Sequence, residues 1–498
     1  METILAIDQG TTGTRAILYD LQFNTIAQSY LAHVQHTPHP GWCEHDAMEL
    51  YHNTLEVIDK ALQLGTAKHP NLKVLCAGIA NQGETVAAWS KKTGEPLCRA
   101  IVWHCQRTAD IVDALKKDVS LCEYIHQTTG LMANSYFSAP KYRWLLENIP
   151  AVATASREGD LCLGTLDSWL IYKLTGGQQF VTDCATASRT MLCNIHTLDW
   201  DETLLDAFGL RREYLARILP NTAHYGEIAL PHLPVIPLTA SIVDQQGALF
   251  GQKCFTPGTL KATYGTGCFV LMNTGDRAYF TDNGLLTTLA WNVGGNIQYA
   301  LDGGIHFAGS TLQWLRDNLC IIDDYNDMDA LAASLDESGG VYFVPAFSGL
   351  SVPYWDQTAR GMIIGLTMNS TRAHIVRAAL EAIAYQMWDL LTLMEETTDM
   401  HIHEVRVDGG VTRSHFLMQT QSDILQRSVR VNKHYEATAR GVAMLAGLGA
   451  NIYTGPEAFG LLHENTQSFS PIQSPEVVAQ KLNGWKTAVS RCMHWTDR

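Results

Sequence analysis

Two aspartates stand where acid–base and metal chemistry would need them. Asp8 ends the apolar run 4–7 and comes just before a glycine-rich turn, so its carboxylate could hold Mg²⁺ together with water and phosphate oxygens. The alternative for Asp8 is an Asx turn within its own loop. Asp244 precedes the apolar stretch 248–250. It is either the N-cap of a helix or a general base that accepts a proton from a substrate hydroxyl.

A glycine–threonine turn occurs twice, about half a chain apart. The first copy is 8–15, between the apolar runs 4–7 and 16–19, and the second is 264–267, between 260–263 and 268–272. Each copy predicts a β-hairpin whose turn exposes backbone N–H groups and hydroxyls, which is what a phosphate needs. Arg15, which leaves the first turn, is either a solvated strand residue or a clamp on a transferring phosphate. Two such turns predict two lobes that close on one nucleotide, and hence a phosphotransferase.

A third glycine-rich segment follows a short strand in the second half of the chain. Residues 405–407 predict the strand, and Asp408, Gly409 and Gly410 follow it. The segment is either a plain turn or a place where the backbone passes close to an adenosine or its phosphates, because a side chain would clash there. The residues alone leave both interpretations open.

The elements that must position these residues alternate between strand and helix, which predicts an α/β fold. We expect Asp46 to cap a helix that Gly65 ends, and 74–79 to be a buried strand that delivers 81–84 to its carboxyl end, where ligands bind in open α/β sheets. A small-residue helix over 441–449 should pack closely against a neighbour. The polar stretch 465–475 predicts a linker before a last helix.

Bulk composition sets limits on domain number and partners. A chain of 498 residues predicts two domains of roughly 200–250 residues, and we place the boundary close to Gly251. The net charge of −15 argues against a nucleic-acid partner. The acidic start and the lack of ~18 consecutive apolar residues predict neither a signal peptide nor a membrane helix. The 12 cysteines form no Cys-x-x-Cys pair, so we expect reduced thiols, and we expect the histidines of 33–39 and 401–403 on the surface or in loops.

Together these motifs resemble the FGGY carbohydrate kinases over essentially the whole chain. The stretches that carry the resemblance are 8–12, 40–46, 187–192, 264–269, 345–350 and 407–410. It implies two actin-like ATPase (ribonuclease H-like) domains around a central cleft, an N-terminal domain over 1–250 for polyol and phosphate and a C-terminal domain over 251–498 for the nucleotide. It further implies ATP and Mg²⁺, transfer to a small polyol with glycerol (to glycerol 3-phosphate) as first candidate, a cytoplasmic location, and a homo-oligomer, either dimer or tetramer.

The resemblance also assigns roles to matching positions. It implies that Asp244 is the catalytic base, with Asp8, the expected magnesium ligand, and Arg15 beside the phosphates. The expected acceptor-binding positions are Gly83, Glu84, Trp103, Tyr136, Asp244, Gln245 and Phe269. The expected nucleotide positions are Thr11, Thr12, Gly13, Arg15, Gly265, Thr266, Gly309, Gln313, Gly409, Gly410 and His415.

The sequence departs from the family pattern at the acceptor site. Gly83 stands where the members that act on glycerol carry an arginine, which removes charge-assisted hydrogen bonds worth roughly 1.5–3 kcal/mol each. The change should leave Glu84 without its cationic neighbour and open volume, so a kinase for a four- or five-carbon polyol or sugar is an alternative function. A degenerate nucleotide-binding regulator is a second alternative, and the retention of Asp8, Asp244 and Glu84 counts against it.

Three smaller departures concern the nucleotide and regulation. By the same resemblance, Gly13 replaces a serine that is usual in the phosphate turn, and His415 replaces an asparagine that usually faces the adenine; neither change removes an obligatory group, and both are expected to change nucleotide affinity. The segment 230–234 lacks the glycine- and arginine-bearing loop with which some relatives bind a sugar bisphosphate. We therefore expect no inhibition by fructose bisphosphate.

Overall fold

A computed structural model describes residues 1–229, 234–432, 436–460, 462 and 465–496, without the side chain of Asn326. Of the segment 230–234, only Pro234 is described, so the expected absence of a bisphosphate loop lies outside the described residues.

The first half of the chain begins with strands and ends with a helix that starts at Asp244. Its strands are β1 (Glu2–Gln9), β2 (Gly13–Asp20), β3 (Thr25–Ala32), β4 (Glu44–His45), β5 (Lys73–Asn81), β6 (Val86–Ser90), β7 (Ala100–Ile101), β8 (Leu161–Thr165), β9 (Val181–Asp183), β10 (Cys193–Asn194), β11 (Asp199–Trp200), β12 (Arg217–Leu219), β13 (Thr222–Ile228) and β14 (Ile236–Val243). Its helices are α1 (Ala47–Lys68), α2 (Ala109–Leu115), α3 (Val119–Thr129), α4 (Ser138–Asn148), α5 (Pro150–Arg157), α6 (Leu166–Leu174), α7 (Cys184–Ser188), α8 (Glu202–Ala207) and α9 (Asp244–Gly251).

The main sheet of the first half has the order β13-β14-β5-β1-β2-β3, with β5 parallel to both β1 and β14. The carboxyl ends of these three strands meet at one edge, which brings Asp8, 81–84 and Asp244 together. Helix α1 begins as expected, because the Asp46 carboxylate accepts from two backbone N–H groups of the first turn. The expected stop at Gly65 was wrong. The helix continues to Lys68, and a Cβ at Gly65 would lie 2.7 Å from Leu18 Cδ1, so this glycine allows the helix to pack on the sheet.

The second half repeats the arrangement with longer helices. Its strands are β15 (Leu260–Tyr264), β16 (Cys268–Gly275), β17 (Leu286–Val293), β18 (Asn296–Ile305), β19 (Tyr342–Val344), β20 (Met362–Ile364), β21 (Glu404–Asp408), β22 (Ser428–Asn432) and β23 (Thr466–Phe469). Its helices are α10 (Gly309–Asp317), α11 (Tyr325–Ala333), α12 (Arg372–Thr398), α13 (His415–Leu425), α14 (Ala437–Gly449) and α15 (Pro475–Cys492).

The second main sheet has the order β17-β18-β16-β15-β21-β22-β23. Strand β15 pairs parallel with β21, and both again carry glycine-rich segments at their carboxyl ends; β22 lies parallel to β21. Helix α12 covers the sheet with buried side chains from Val376 to Met394. The linker expected over 465–475 was partly wrong, because 466–469 forms β23 and pairs with β22.

The two halves interlock through a pair of helices. Helix α14 lies against α9, and the approach is so close that a Cβ at Gly441 would lie 1.9 Å from the Gly247 carbonyl oxygen. Helix α14 also packs on β1, β5 and β14, so a helix of the second half covers the sheet of the first half. The close packing expected from the small residues of 441–449 is therefore confirmed. Across the described ranges, none of the helices is long and apolar enough to span a bilayer.

Candidate active site

Both glycine–threonine segments form the hairpin turns expected of them. Strands β1 and β2 pair antiparallel with Asp8 opposite Arg15, and β15 and β16 pair with Tyr264 opposite Cys268. The turn between β1 and β2 is held to the end of β5, because the Gln82 side chain donates to the Gly10 carbonyl over 3.2 Å. The first turn and the loop after β5 therefore form one unit.

A cavity of about 160 Å³ opens where the two halves meet. The expected acceptor residues line it together with Thr11: Gly83, Glu84, Trp103, Tyr136, Asp244, Gln245 and Phe269. Sequence reasoning missed five further lining residues: Arg189, Val243, Gln246, Leu271 and Asp302. Because the lining comes from both halves, the cavity depends on how the two halves meet.

Aromatic rings form one wall of the cavity. The rings of Trp103 and Tyr136 lie edge to face with centroids 5.3 Å apart, and Trp103 Nε1 donates to Thr11 Oγ1 over 3.0 Å. Lys141, which is fully buried, donates to the backbone carbonyls of three successive residues, 135–137. Burial lowers the pKa of Lys141 to about 7. This lysine therefore fixes the loop that presents Tyr136, a role that sequence reasoning missed.

Glu84 has a cationic partner, contrary to expectation. Its carboxylate accepts from Arg189 Nε over 2.6 Å, and Arg189 Nη1 lies 2.9 Å from Asp302 Oδ2. Burial raises the pKa of Glu84 to about 7, and the neighbouring guanidinium limits the rise. Glu84 also has a φ of 56°, a left-handed conformation that is uncommon outside glycine and often found at functional sites.

The Val243 side chain narrows the space beside Gly83. A Cβ at Gly83 would lie 2.9 Å from Val243 Cγ2, and apart from its chain neighbours no other described atom lies within 4 Å of it. Part of the volume expected at Gly83 is therefore occupied, and the enlarged pocket stays a prediction. Val243 immediately precedes Asp244 at the end of β14, so the same strand closes the wall and presents the carboxylate.

Asp244 begins α9 rather than capping it, since the N-cap position is Val243. Asp244 Oδ1 accepts from the Gln245 backbone N–H over 2.7 Å. Burial and the neighbouring Asp8 raise the pKa of Asp244 to about 6, while the buried ammonium of Lys261 works in the opposite direction. Lys261 donates to the Gln245 side chain and to Thr263 Oγ1, so it also holds Gln245 in place. A carboxyl group that is ionised at neutral pH but still basic is suited to accept a proton.

The first hairpin turn has two supports that the sequence did not reveal. A Cβ at Gly13 would lie 2.3 Å from the Tyr30 hydroxyl, so Tyr30 occupies the space that a serine would need. His33 lies in the loop after β3, which agrees with the expected surface or loop position; it is buried, and its Nε2 lies 2.8 Å from the Thr11 carbonyl oxygen. Both contacts hold the turn from behind.

Asp8 and Arg15 lie opposite each other on β1 and β2, beside that turn. Burial raises the pKa of Asp8 to about 6, and the Arg15 guanidinium limits the rise. Arg15 forms an ion pair with Glu436, which lies just before α14, and its guanidinium stands 5.3 Å from the Tyr30 ring centroid. Arg15 therefore joins the first turn to the second half of the chain.

A second cavity, of about 590 Å³, lies beside the other hairpin turn. Of the expected nucleotide positions, Gly265, Thr266, Gly309, Gln313 and Gly410 line it. Gly409 has a φ of 96° and lies against the Tyr264 carbonyl, while a Cβ at Gly410 would meet nothing within 4 Å. Gly409 is thus required by the turn, and Gly410 leaves free space for a ligand.

The other expected nucleotide positions lie elsewhere. Thr11, Thr12, Gly13 and Arg15 belong to the first turn and do not line the 590 Å³ cavity. His415 does not line that cavity either. Its ring packs edge-on against Phe469, 5.7 Å between centroids, so the structure does not place it on an adenine site.

Some of the missed residues had a signal in the sequence. Arg189 is a lone charge within 187–192, a stretch that already carried the family resemblance, and a charge in such a stretch must be paired when buried. Asp302 and Val243 gave no signal, because their importance depends on contacts between strands of different sheets.

Two lobes with carboxylates at their strand ends, two glycine-rich hairpin turns and a small pocket between them are typical of a kinase that acts on small hydroxylated molecules. Comparison with known proteins agrees. Residues 3–251 match the FGGY family of carbohydrate kinases, N-terminal domain, and residues 260–450 match its C-terminal domain. Glycerol kinase 2 of Thermotoga maritima is 45% identical over the full length of both chains, and glycerol kinase of Francisella philomiragia is 43% identical over 99% of each.

A solved structure supports the same assignment. The crystal structure of Plasmodium falciparum glycerol kinase with ADP superimposes with a TM-score of 0.95 at 37% identity, covering 99% of this chain and 98% of the other. The chain belongs to the FGGY family of carbohydrate kinases. It is a phosphotransferase with an alcohol group as acceptor.

Proposed function

We propose that this enzyme transfers the γ-phosphoryl group of ATP to a primary hydroxyl of a small polyol, with glycerol as the acceptor. The observation that carries the proposal is the 160 Å³ cavity between the lobes, which holds Asp244 and a second carboxylate, Glu84, beside aromatic rings. The full-length relatives named glycerol kinase support this choice of acceptor.

The cavity matches the chemistry of a polyol. A polyol offers C–H faces to rings such as Trp103 and Phe269, and hydroxyl groups to carboxylates and amides such as Glu84 and Gln245. The cavity is smaller than the ~300–1,000 Å³ typical of drug-sized ligands, and Val243 narrows it beside Gly83. These features favour a three-carbon acceptor over a four- or five-carbon polyol or ketose.

Asp244 is proposed as the base. Its raised pKa of about 6 leaves it ionised at neutral pH, so it can accept the proton that the acceptor hydroxyl loses as it attacks phosphorus. Lys261 keeps the carboxylate from becoming too basic to ionise, and Trp103, Tyr136 and Phe269 exclude water that would otherwise compete with the acceptor. In this proposal the first half of the chain, 1–250, supplies the base and most polyol contacts.

The nucleotide is proposed to lie across the two turns, its base in the 590 Å³ cavity and its phosphates towards Asp8. The free space at Gly410 and the glycines around Thr266 fit a ligand that approaches the backbone closely. The related Plasmodium enzyme was solved with ADP, which supports a nucleotide in this fold. The second half, 251–498, is therefore proposed to hold the adenosine.

Magnesium fits the carboxylate of Asp8. Mg²⁺ prefers oxygen ligands and is held by one or two carboxylates together with water and phosphate oxygens. Burial raises the pKa of Asp8 to about 6, and a bound cation would favour its ionised form. When bound, Mg²⁺ neutralises charge on the transferring phosphates. Asp8 would hold the cation, and Arg15 would bind the phosphates from the same turn.

The proposal also covers the cellular location of the enzyme and its number of subunits. We propose a cytoplasmic enzyme that forms a dimer or tetramer. The supply of ATP in the cytoplasm and the free state of the described cysteines favour the location. Sedimentation equilibrium on the purified protein tests the subunit count, and a monomer at micromolar concentration would contradict the assembly.

A panel of acceptors tests the function. The purified enzyme is assayed for ADP release with C3 to C6 polyols and ketoses, and glycerol is expected to give the highest kcat/KM. A pentitol or ketose with a higher value would overturn the choice of acceptor. Asp244→Asn should abolish turnover and leave ATP binding nearly intact, whereas Asp389→Asn should retain activity, because Asp389 bonds to Trp485 and Tyr354 outside the cleft.

A further inference from the structure

A buried arginine joins the two lobes at the acceptor cavity. Arg189 follows α7, and its side chain is 7% exposed. Its Nε donates to Glu84 of the first half, and its Nη1 lies 2.9 Å from Asp302 Oδ2 on β18 of the second half. All three side chains line the cavity. One guanidinium therefore stands between a carboxylate of each lobe.

One nitrogen of the Arg189 side chain, Nη1, has no hydrogen-bond acceptor among the described residues. Nη1 is buried, yet within the described part of the chain its contact with Asp302 lacks hydrogen-bond geometry, and no other acceptor satisfies it. A buried donor without an acceptor is costly, so a ligand oxygen that completes it would be bound favourably. Position 83, which has no side chain, offers no competing cation.

We propose that Arg189 and Asp302 together recognise a hydroxyl of the acceptor, Arg189 donating to its oxygen and Asp302 accepting its hydrogen. The inference rests on the proposed function and extends it, because it makes the second lobe part of acceptor selection. The reacting hydroxyl lies at Asp244, and the hydroxyl bound by this pair is one of the others on the same small molecule. The pair then supplies the charge-assisted bonds that Gly83 cannot make.

The arrangement gives the pair a specificity that a simple ion pair would lack. The guanidinium is a planar donor fork and the carboxylate is an acceptor, so a hydroxyl that bridges them must both accept and donate. A hydrogen or methyl group at that carbon leaves the buried donor unsatisfied. An acceptor that lacks the hydroxyl is therefore expected to bind more weakly.

A substrate-analogue cycle tests the pair. KM and kcat are measured for wild type, Asp302→Asn and Arg189→Lys with glycerol, 1,2-propanediol and 1,3-propanediol, each diol lacking one hydroxyl. For glycerol, Asp302→Asn is expected to raise KM roughly tenfold or more with kcat changed less than about threefold. For the diol that lacks the recognised hydroxyl, the same substitution should change KM little. An equal effect on all three acceptors would show that the pair is only structural.

Arg377→Lys is the matched control. Arg377 is as buried as Arg189 and pairs with Glu381 over 2.9 Å, but it lies on α12, away from the cavity. This variant should leave the KM of every acceptor unchanged. If Arg189→Lys does not fold, Asp302→Asn alone decides the test, because it removes the charge and keeps the shape.

The outcomes separate this inference from the proposed function. A wild-type enzyme that phosphorylates glycerol, with the same glycerol KM in Asp302→Asn, would contradict the recognition pair alone. A wild-type enzyme that phosphorylates none of the three acceptors would contradict the proposed function. In that case the Kd of glycerol is measured by calorimetry. A higher Kd in Asp302→Asn than in the wild type would support the recognition pair, and a wild type that does not bind glycerol would overturn it.

Discussion

Burial of the carboxyl groups in the cleft controls their charge. Asp8, Glu84 and Asp244 all have pKa values raised to between about 6 and 7, chiefly because burial disfavours the ionised form. Neighbouring cations, Arg15, Arg189 and Lys261 respectively, limit each rise. These three carboxyl groups therefore gain and lose protons at a pH just below neutral.

Activity should depend on pH in a range set by these groups. Asp244 accepts a proton only when it is ionised, and its raised pKa moves the loss of activity upward from the usual range near pH 4. We expect kcat/KM for the acceptor to be level at high pH, to fall below an inflection between pH 6 and 7, and to fall more steeply below pH 6, where both Glu84 and Asp244 are protonated. A profile of kcat/KM from pH 5 to 9 measures this, and a level profile down to pH 5 would contradict it.

Glu84→Gln serves as the control for that profile. Glu84 titrates in the same range, with a pKa near 7. Its amide variant should show an inflection from Asp244 alone, nearer pH 6, at a lower overall kcat/KM. An inflection that stays near 7 in this variant would assign the titration to another group.

At the scale of elements, two glycines of the site lie against larger side chains on neighbouring strands. A Cβ at Gly83 would lie 2.9 Å from Val243 Cγ2 at the end of β14, and a Cβ at Gly13 would lie 2.3 Å from the Tyr30 hydroxyl on β3. These two departures from the family pattern are thus each coupled to a bulky side chain on a neighbouring strand.

Substituting Gly83 and Val243, singly and together, should show that their effects on acceptor kcat/KM depend on each other. Gly83→Ala places a Cβ 2.9 Å from Val243 Cγ2, and overpacking of this kind costs ~1–3 kcal/mol. Because the strain falls on the strand end that carries Asp244, we expect acceptor kcat/KM to drop about tenfold. Val243→Ala in the same chain should restore most of it, as a double-mutant cycle can measure. Independent, additive effects of the two substitutions would contradict the coupling.

The crossing of α9 and α14 should be equally sensitive. In Gly441→Ala the new Cβ would lie 1.9 Å from the Gly247 carbonyl oxygen, and a backbone carbonyl within a helix cannot move aside. Thermal unfolding should show a loss of about 5 °C or more. Gly65→Ala, also inside a helix, meets side-chain methyl groups of Leu18, Leu72 and Ala27, which can shift further than a backbone carbonyl, so its loss should be clearly smaller. Equal losses in both variants would point to helix propensity rather than to the crossing.

Local patterns predicted much of this architecture. The two hairpins, the strand 73–81 and the small-residue helix were all predictable because each depends on neighbours in sequence. The end of α1 and the strand 466–469 were not, because tertiary packing decides them. In the site, strand-end residues such as Asp244 could be named in advance. Arg189–Asp302 and Gly83–Val243 could not, because each pair is far apart in sequence and meets only when the sheets are placed.

At the scale of the whole molecule, the two lobes are tied together at the base of the cleft. Ser188 and Thr288 share a hydrogen bond of 2.9 Å between their hydroxyl oxygens, and Gln246 donates to the Leu289 carbonyl. Arg189 adds an ion pair to Asp302 across the same junction. The acceptor cavity lies at this junction, while the proposed nucleotide cavity lies further along the cleft.

Binding of the two substrates should therefore be cooperative. Each ligand favours the arrangement of lobes in which the residues of both halves surround it, so the first to bind prepares the site for the second. We expect the Kd of glycerol, measured by calorimetry, to fall about fivefold or more when a non-hydrolysable ATP analogue and Mg²⁺ are present. Linkage requires that glycerol lower the Kd of the analogue by the same factor. Ethylene glycol, which has fewer hydroxyl groups to reach both lobes, should give a smaller factor. Equal glycerol Kd values with and without the analogue would mean that the lobes bind their ligands independently, and that the contacts at the base of the cleft hold the lobes together without coupling the two sites.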